Sequence, residues 1–425
     1  MALSAAKRDR VAGLFAVAPQ DALHRLIGLL GTAAAHDPML EPVRVIASAE
    51  ADLRRTVAAV FAPLWPLAEG GPAPKQMLIR KSDLTEVWRR IDGQHDQRVQ
   101  QALAVTLTGA ADDNAAPVLD EVCALAADAA TSPELARWLR LAPVLRRVQP
   151  RVEAWARNLS GENVAAIRLA FRDALAVDED AGPAFWEAIF AMLEQPWQAI
   201  RLISAATDRP SDRYLAGSEL AGLAERLLDD IDRRIVALKS FDPLAGEAEA
   251  IRVSGEIGLA VQIAAEFEAW LTLSADGPWG RRIQAQKRAI ALAMEARLRE
   301  VEPAVALALP TQPVRGAGRG VRPVPKLSAD LGPIVVARAE ALLALAEDAR
   351  RCANAAGFAA LRSKVCDAVA KRLDQYCEDL LETIHQGDPE QAERSRAYLD
   401  IAAHFMGLIE GPQNAQNIRR RAAAA

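Results

Sequence analysis

The residues best suited to chemistry are two pairs of an acid and a histidine near the C-terminus. Glu382 and His385 are three residues apart, so one helix face would carry both side chains. Asp400 and His404 are four residues apart in the next helical stretch, where they could meet the first pair. A carboxylate-bridged di-iron bundle uses two Glu-x-x-His motifs and two further glutamates on facing helices. The chain contains one such motif, so these four residues match a metal site only in part, and we predict no bound metal or cofactor.

Other catalytic patterns are missing from the sequence. The phosphate-binding motif G-x-x-x-x-G-K-S/T, the nucleophile motif G-x-S-x-G and the zinc motif H-E-x-x-H do not occur. The four cysteines include no C-x-x-C pair, so no zinc or disulfide framework is predicted. Cys366 and Cys377 are eleven residues apart, which is three helical turns, and we interpret both as core residues. The sequence leaves the question of an enzyme open and favours a protein without catalytic activity.

Two stretches of the chain are rich in basic residues. No acidic residue lies between Glu302 and Asp330, and three consecutive arginines lie near the C-terminus. Such residues could bind an anionic surface, either a membrane or a nucleic acid. The predicted interaction residues are Arg315, Arg319, Arg322, Lys326, Arg419, Arg420 and Arg421. The formal net charge of −5 nevertheless argues against general nucleic-acid binding, which usually requires a basic surface.

The composition indicates an all-α protein. Hydrophobic residues make up 51% of the chain, enough for a buried core, whereas aromatic residues make up 5%. Alanine, leucine and arginine dominate, and these residues favour helices. Ser132 and Ser160 each precede a stretch with apolar residues at helical spacing, which predicts a helix N-cap at both positions. We predict an elongated antiparallel helical array, followed by a tether and a small C-terminal three-helix bundle.

The stretch from 303 to 333 predicts the main domain boundary. It contains six prolines and four glycines, a density at which we expect no regular helix. All eight tryptophans precede it and three of the four cysteines follow it, a change of composition that is typical of a boundary. We therefore predict an array over 1–302 with a break near 178–183 or 207–212, a flexible or polyproline-like linker over 303–333, a bundle over 334–410 and a tail over 411–425 that is either a frayed helix or disordered.

No targeting or membrane-spanning segment is evident in the sequence. The N-terminal stretch lacks the features of a signal sequence, and uncharged runs such as 56–68 are shorter than the about 18 residues that a membrane span needs. We therefore predict a cytoplasmic protein. A short basic helix around Lys7, Arg8 and Arg10 leaves peripheral membrane contact open.

Three functions remain open at this point. The leading hypothesis is a scaffold or adaptor that binds a protein partner through the faces of amphipathic helices. One alternative is peripheral binding to an anionic surface through the linker and tail. The other is an enzyme built on a helical fold, with or without a metal. The sequence determines neither the partner nor the oligomeric state.

Overall fold

The computed structural model describes residues 60–68, 79–94, 96–107, 115–178, 180–218, 220–315, 321–330, 332–386 and 389–424. The predicted basic helix around Lys7 and the interaction residue Arg319 lie outside these ranges. The chain divides into two compact units, Met1–Pro196 and Trp197–Ala425. Their described parts are helical apart from one two-stranded sheet, which confirms the predicted all-α class.

The first unit has seven α-helices in its described ranges. In chain order these helices are α1 (Lys81–Gly93), α2 (Gln97–Leu107), α3 (Ala115–Asp128), α4 (Pro133–Val148), α5 (Val152–Arg157), α6 (Gly161–Val177) and α7 (Ala181–Met192). Helix α4 contacts α3, α6 and α7. Three aromatic rings lie between α6 and α7, with ring centres 5.2 to 5.9 Å apart: Phe171, Phe185 and Trp186.

The two serine caps are confirmed. The Ser132 hydroxyl accepts a hydrogen bond from the backbone N–H of Leu135 at 3.2 Å, at the start of α4. The Ser160 hydroxyl accepts from the backbone N–H of Asn163 at 3.3 Å, at the start of α6. Each cap satisfies one of the N–H groups that a helix start leaves unpaired, so the local sequence alone fixes where these helices begin.

The second unit contains the longest helices of the chain. In chain order its elements are α8 (Ala199–Ala206), α9 (Asp212–Leu215), α10 (Ala221–Lys239), α11 (Glu247–Trp270), α12 (Pro278–Ala308), β1 (Thr311–Arg315), β2 (Val321–Pro325), α13 (Pro333–Asp348), α14 (Ala353–Ala356), α15 (Ala359–His385), α16 (Pro389–Glu410) and α17 (Pro412–Ala424). Helix α13 packs against α11 and α12 as well as against α16. Helices on both sides of 303–333 therefore share one core.

The domain boundary predicted at 303–333 differs from the structure. The division between the compact units falls after Pro196, at neither of the two breaks predicted near 178–183 and 207–212. Helices α13, α15 and α16 correspond to the three helices predicted for the C-terminal bundle, but they do not form a separate module. The composition change was misleading, because the apolar face of α13 is buried against helices that precede the proline-rich stretch.

The predicted flexible linker also differs from the structure. Helix α12 continues through Pro303 to Ala308, and residues 311–315 and 321–325 form an antiparallel hairpin. Pro313 faces Pro323 across this hairpin. Proline is tolerated there because both strands are edge strands, so a missing N–H can lie on the unpaired side.

Tertiary contacts hold this hairpin against α15 and α16. The Tyr376 hydroxyl donates to the Pro310 carbonyl at 3.4 Å, and the Tyr398 hydroxyl donates to the Ala329 carbonyl at 2.7 Å. Residues 303–315 and 321–330 are therefore a structured part of the second unit.

The tail, for which a frayed helix and disorder were both left open, forms α17. Its sequence is mostly polar, but Ala415 and Ile418 are three residues apart and both are buried. Gly411 has φ of +97°, a left-handed conformation that reverses the chain so that α17 folds back on α16. Burial of these two side chains contributes about 2–3 kcal/mol, enough to dock a helix that the polar composition had concealed.

Candidate functional site

Two of the predicted interaction arginines, Arg322 and Arg421, line one groove on α15. The α15 groove has a volume of about 450 Å³ and lies between the hairpin and α17. The residues that line it are Arg322, Gln375, Glu378, Asp379, Leu381, Glu382, His385 and Arg421. Its charged groups are thus of both signs, with three carboxylates facing two arginines.

Arg322 attaches the hairpin to α15. Its guanidinium donates to Asp379 at 2.7 Å and lies 3.9 Å from the Glu382 carboxylate. Asp379 is buried and also accepts from the Gln375 side chain at 2.9 Å. A buried carboxylate requires such partners, since an unpaired charge in the core is costly. The charge that the sequence suggested for an external partner is therefore used within the protein.

Arg421 and Arg419 attach α17 in the same way. The two terminal guanidinium nitrogens of Arg421, Nη1 and Nη2, donate to the Glu378 carboxylate, each at 2.7 Å. This hydrogen-bonded pair holds the pKa of Glu378 below its ordinary value. Arg419 lies 3.6 Å from Asp400 on α16. Two of the three tail arginines are thus neutralised by carboxylates of neighbouring helices.

The structure also describes the side chains of Arg420 and Lys326 and the backbone of Arg315. Arg420 and Lys326 are exposed, and the backbone N–H of Lys326 donates to the Pro310 carbonyl at 3.0 Å. The backbone of Arg315 pairs with that of Val321 in the hairpin. Of the predicted interaction residues whose side chains the structure describes, Arg322, Arg419 and Arg421 thus face carboxylates, whereas Arg420 and Lys326 are exposed.

The four metal candidates are not brought together. His385 Nδ1 donates to the Leu381 carbonyl at 2.7 Å, next to the exposed Glu382. His404 Nε2 lies 2.7 Å from the Glu340 carboxylate on α13, while Asp400 faces Arg419. In the part of the chain that the structure describes, no group of three or more His, Cys, Asp or Glu side chains could hold a metal ion.

All four cysteines are buried free thiols. Burial raises the pKa of Cys123 to about 11 and that of Cys377 to about 12. Burial also raises the pKa of Cys352 and of Cys366. The thiolate is the reactive form, so the native thiols are poor nucleophiles at neutral pH. Cys366 and Cys377 lie in the core, where the sequence analysis had placed them.

We therefore expect thiol reagents to label the native protein slowly. At pH 8 a thiol with a pKa of about 11 is on the order of 0.1% thiolate, against roughly a quarter for an ordinary cysteine. An aromatic disulfide reagent should react with all four thiols in denaturant and at least about 100-fold more slowly without it. Native labelling of any cysteine at the rate of free cysteine would contradict its placement in the core.

A second candidate site is an apolar patch at one end of α12 and α13. The Leu307 and Ile334 side chains are 69% and 68% exposed, among the highest values for large apolar residues in the described structure. An ion pair between Arg338 and Glu300 (2.9 Å) places the start of α13 beside the end of α12. Leu307 lies two turns after Glu300 and Ile334 one turn before Arg338, so both lie on the faces that this ion pair joins. We call this pair of side chains the Leu307–Ile334 patch.

Sequence reasoning missed this patch. Leu307 and the start of α13 fell inside the stretch interpreted as a linker. A signal was present in residues 304–309, where apolar residues surround the helix instead of following one stripe. A helix that is apolar on all sides must bury every face or expose one.

Comparison with known proteins gives no relative. No protein-family model matches the chain, and no curated protein and no solved structure is significantly similar to it. No helix in the described ranges is both long and apolar enough to cross a membrane.

Proposed function

We propose that this protein is a non-enzymatic scaffold or adaptor that binds a protein partner through the Leu307–Ile334 patch. The observation that supports this is the patch itself: two large aliphatic side chains, each about two-thirds exposed, on adjoining helix faces. Leaving such side chains in water forgoes about 1.5–3 kcal/mol each, which a partner can recover by covering them.

The surroundings of the patch support a protein partner. Pro303 and Pro333 are exposed near the same helix ends and extend the apolar surface. The Arg338–Glu300 pair and the exposed Arg299 supply a polar rim. An apolar centre with a charged rim is the usual composition of a protein–protein interface.

The other two functions have less support. Of the residues predicted to bind an anionic surface, Arg322, Arg419 and Arg421 already face a carboxylate of the same chain, which leaves Arg420 and Lys326 as the exposed candidates with described side chains. An enzyme with a metal would use Glu382, His385, Asp400 and His404, which face separate partners. Neither arrangement favours these functions over the scaffold.

Affinity capture from cells of the source organism tests the proposal. The tagged protein is compared with a double variant, Leu307→Glu and Ile334→Glu, which places two charges in the centre of the patch. We expect the partner captured by the wild-type chain to be reduced at least about 30-fold, because a single hot-spot residue contributes about 2 kcal/mol.

Leu292→Glu is the matched control. Leu292 is on the same helix and is 67% exposed, but it lies four turns away from Leu307. This variant should capture the partner as the wild-type chain does. If the double variant captured the same proteins in the same amounts, the patch would not be the binding site.

A further inference from the structure

Helix α17 packs against the rest of the second unit through few buried side chains. Ala415 and Ile418 are its buried residues, and the other described side chains are intermediate or exposed. It follows α16 directly through Gly411, whose φ of +97° makes a sharp turn. A helix with so little buried apolar surface belongs to the parts of a fold that open most easily.

The groove on α15 and α16 that holds α17 accommodates a small residue and, three positions later, an aliphatic residue. A Cβ atom added to Gly407 of α16 would lie 3.0 Å from the Ala415 Cβ, so the two helices approach closely at this point. Ile418, one turn further along α17, is buried on the same side. Because Gly407 has no side chain, this groove has room for Ala415 of α17.

Acidic side chains extend this groove. Glu378 on α15 holds Arg421 with two hydrogen bonds of 2.7 Å, and Asp400 on α16 lies 3.6 Å from Arg419. Both carboxylates are more than half exposed, so neither depends on α17 for its burial. The groove therefore contacts three positions of α17 that are three residues apart in sequence: a small residue, an aliphatic residue and an arginine.

We propose that α17 is the internal occupant of a helix-binding groove on α15 and α16, and that an arginine-bearing amphipathic helix of a partner protein displaces it. The partner helix carries the pattern small-x-x-aliphatic-x-x-arginine that α17 shows at Ala415, Ile418 and Arg421. Charge complementarity with Glu378 favours an arginine at the position of Arg421, Asp400 favours a second one at the position of Arg419, and Gly407 of α16 favours the small residue. The inference rests on the proposed function, since displacement requires a partner, but it concerns a different surface.

A peptide with the sequence of residues 412–424 serves as the probe. Its binding to the purified wild-type chain is compared with its binding to a full chain carrying Ile418→Asp and Arg421→Glu, which loosens its own α17. We expect the loosened chain to bind the peptide at least about 10-fold more tightly than the wild-type chain does.

Reversing the charges at positions 421 and 378 tests whether the peptide binds in the groove that α17 occupies. A peptide with Arg421→Glu should bind the loosened chain at least about 10-fold more weakly, and Glu378→Arg in that chain should restore its binding. If the loosened chain bound neither peptide, or bound both equally, the proposal would be overturned.

Hydrogen exchange of the wild-type chain gives an answer that needs no variant. Amides of α17 should exchange at least about 10-fold faster than those of α16, because displacement requires opening. Equal protection of the two helices would overturn the proposal. These measurements use purified protein and leave Leu307 and Ile334 untouched, so their failure is separate from a failure of the capture experiment.

Discussion

Replacing Trp279 with alanine is expected to lower the free energy of unfolding of the second unit by about 4 kcal/mol. Trp279 is 1% exposed and lies in the first turn of α12. Its ring packs edge-to-face on Phe267, with centroids 6.0 Å apart. Its Nε1–H donates to the Glu225 carboxylate at 2.8 Å. The substitution therefore removes a large buried surface, an aromatic pair and a hydrogen bond at the point where α10, α11 and α12 meet.

Urea titration followed by hydrogen exchange of α12 amides measures this loss in the unit concerned. The control is Trp279→Phe, which keeps a ring beside Phe267 and loses the Nε1–H. We expect Trp279→Phe to cost about half as much as the alanine substitution. A loss below about 1 kcal/mol for Trp279→Ala would contradict the placement of this side chain.

Gly280→Ala is expected to cost the same unit about 3 kcal/mol. An alanine Cβ would lie 2.2 Å from the carbonyl oxygen of Ser274, a backbone atom that no rotamer change can move. The backbone N–H groups of Ser274 and Gly280 both donate to the fully buried Asp212 carboxylate, at 3.3 and 3.4 Å. Moving either segment would break these bonds and leave the buried carboxylate with fewer partners.

Gly255→Ala is the control for this glycine. Gly255 lies in the interior of α11, is exposed, and has no neighbour within 4 Å of an added Cβ. Alanine should stabilise the helix there by about 0.5–1 kcal/mol, so the two substitutions are expected to differ in sign. Similar small effects at both positions would show that the turn between α11 and α12 is not packed as described.

Both predictions bear on the proposed function because α12 connects the buried region around Trp279 and Gly280 to the exposed Leu307. From Trp279 to Leu307 the helix rises about 40 Å at 1.5 Å per residue. The first turn is fixed by Trp279, Gly280 and Asp212, and the last turn carries Leu307 of the Leu307–Ile334 patch. A partner bound at the patch is therefore held by an element whose other end is anchored in the core of the unit.

The features predicted well from sequence are those decided locally. Helical composition and apolar spacing gave the all-α class, and an N-cap needs only a hydroxyl and a nearby N–H, as at Ser132 and Ser160. The three C-terminal helices were predicted for the same reason, since each is rich in helix-forming and apolar residues.

The proline-rich stretch was misinterpreted because its structure depends on distant residues. Tyr376 on α15 and Tyr398 on α16 donate hydrogen bonds to backbone carbonyls of this stretch, and Asp379 accepts one from Arg322. In each case the two partners are more than fifty residues apart in sequence. Local propensity disfavoured order, and tertiary hydrogen bonds prevailed over it.

The internal partners of the predicted interaction residues could not be predicted from the sequence for a related reason. A sequence shows that Arg322 and Arg421 are charged, but it does not show that Asp379 and Glu378 face them. Exposure of Leu307 and Ile334 likewise depends on how α12 meets α13, which periodicity does not determine. The candidate site thus moved from charged side chains that pair internally to apolar side chains that remain uncovered.

Photo-crosslinking in cells of the source organism tests the central claim most directly. A benzophenone amino acid is placed at Ile334 in one strain and at Leu292 in another, both exposed positions of the second unit. The account predicts an adduct of defined mass with one protein at position 334 and no such adduct at 292. No adduct at 334, or the same adducts at both positions, would contradict a partner-binding surface at the Leu307–Ile334 patch.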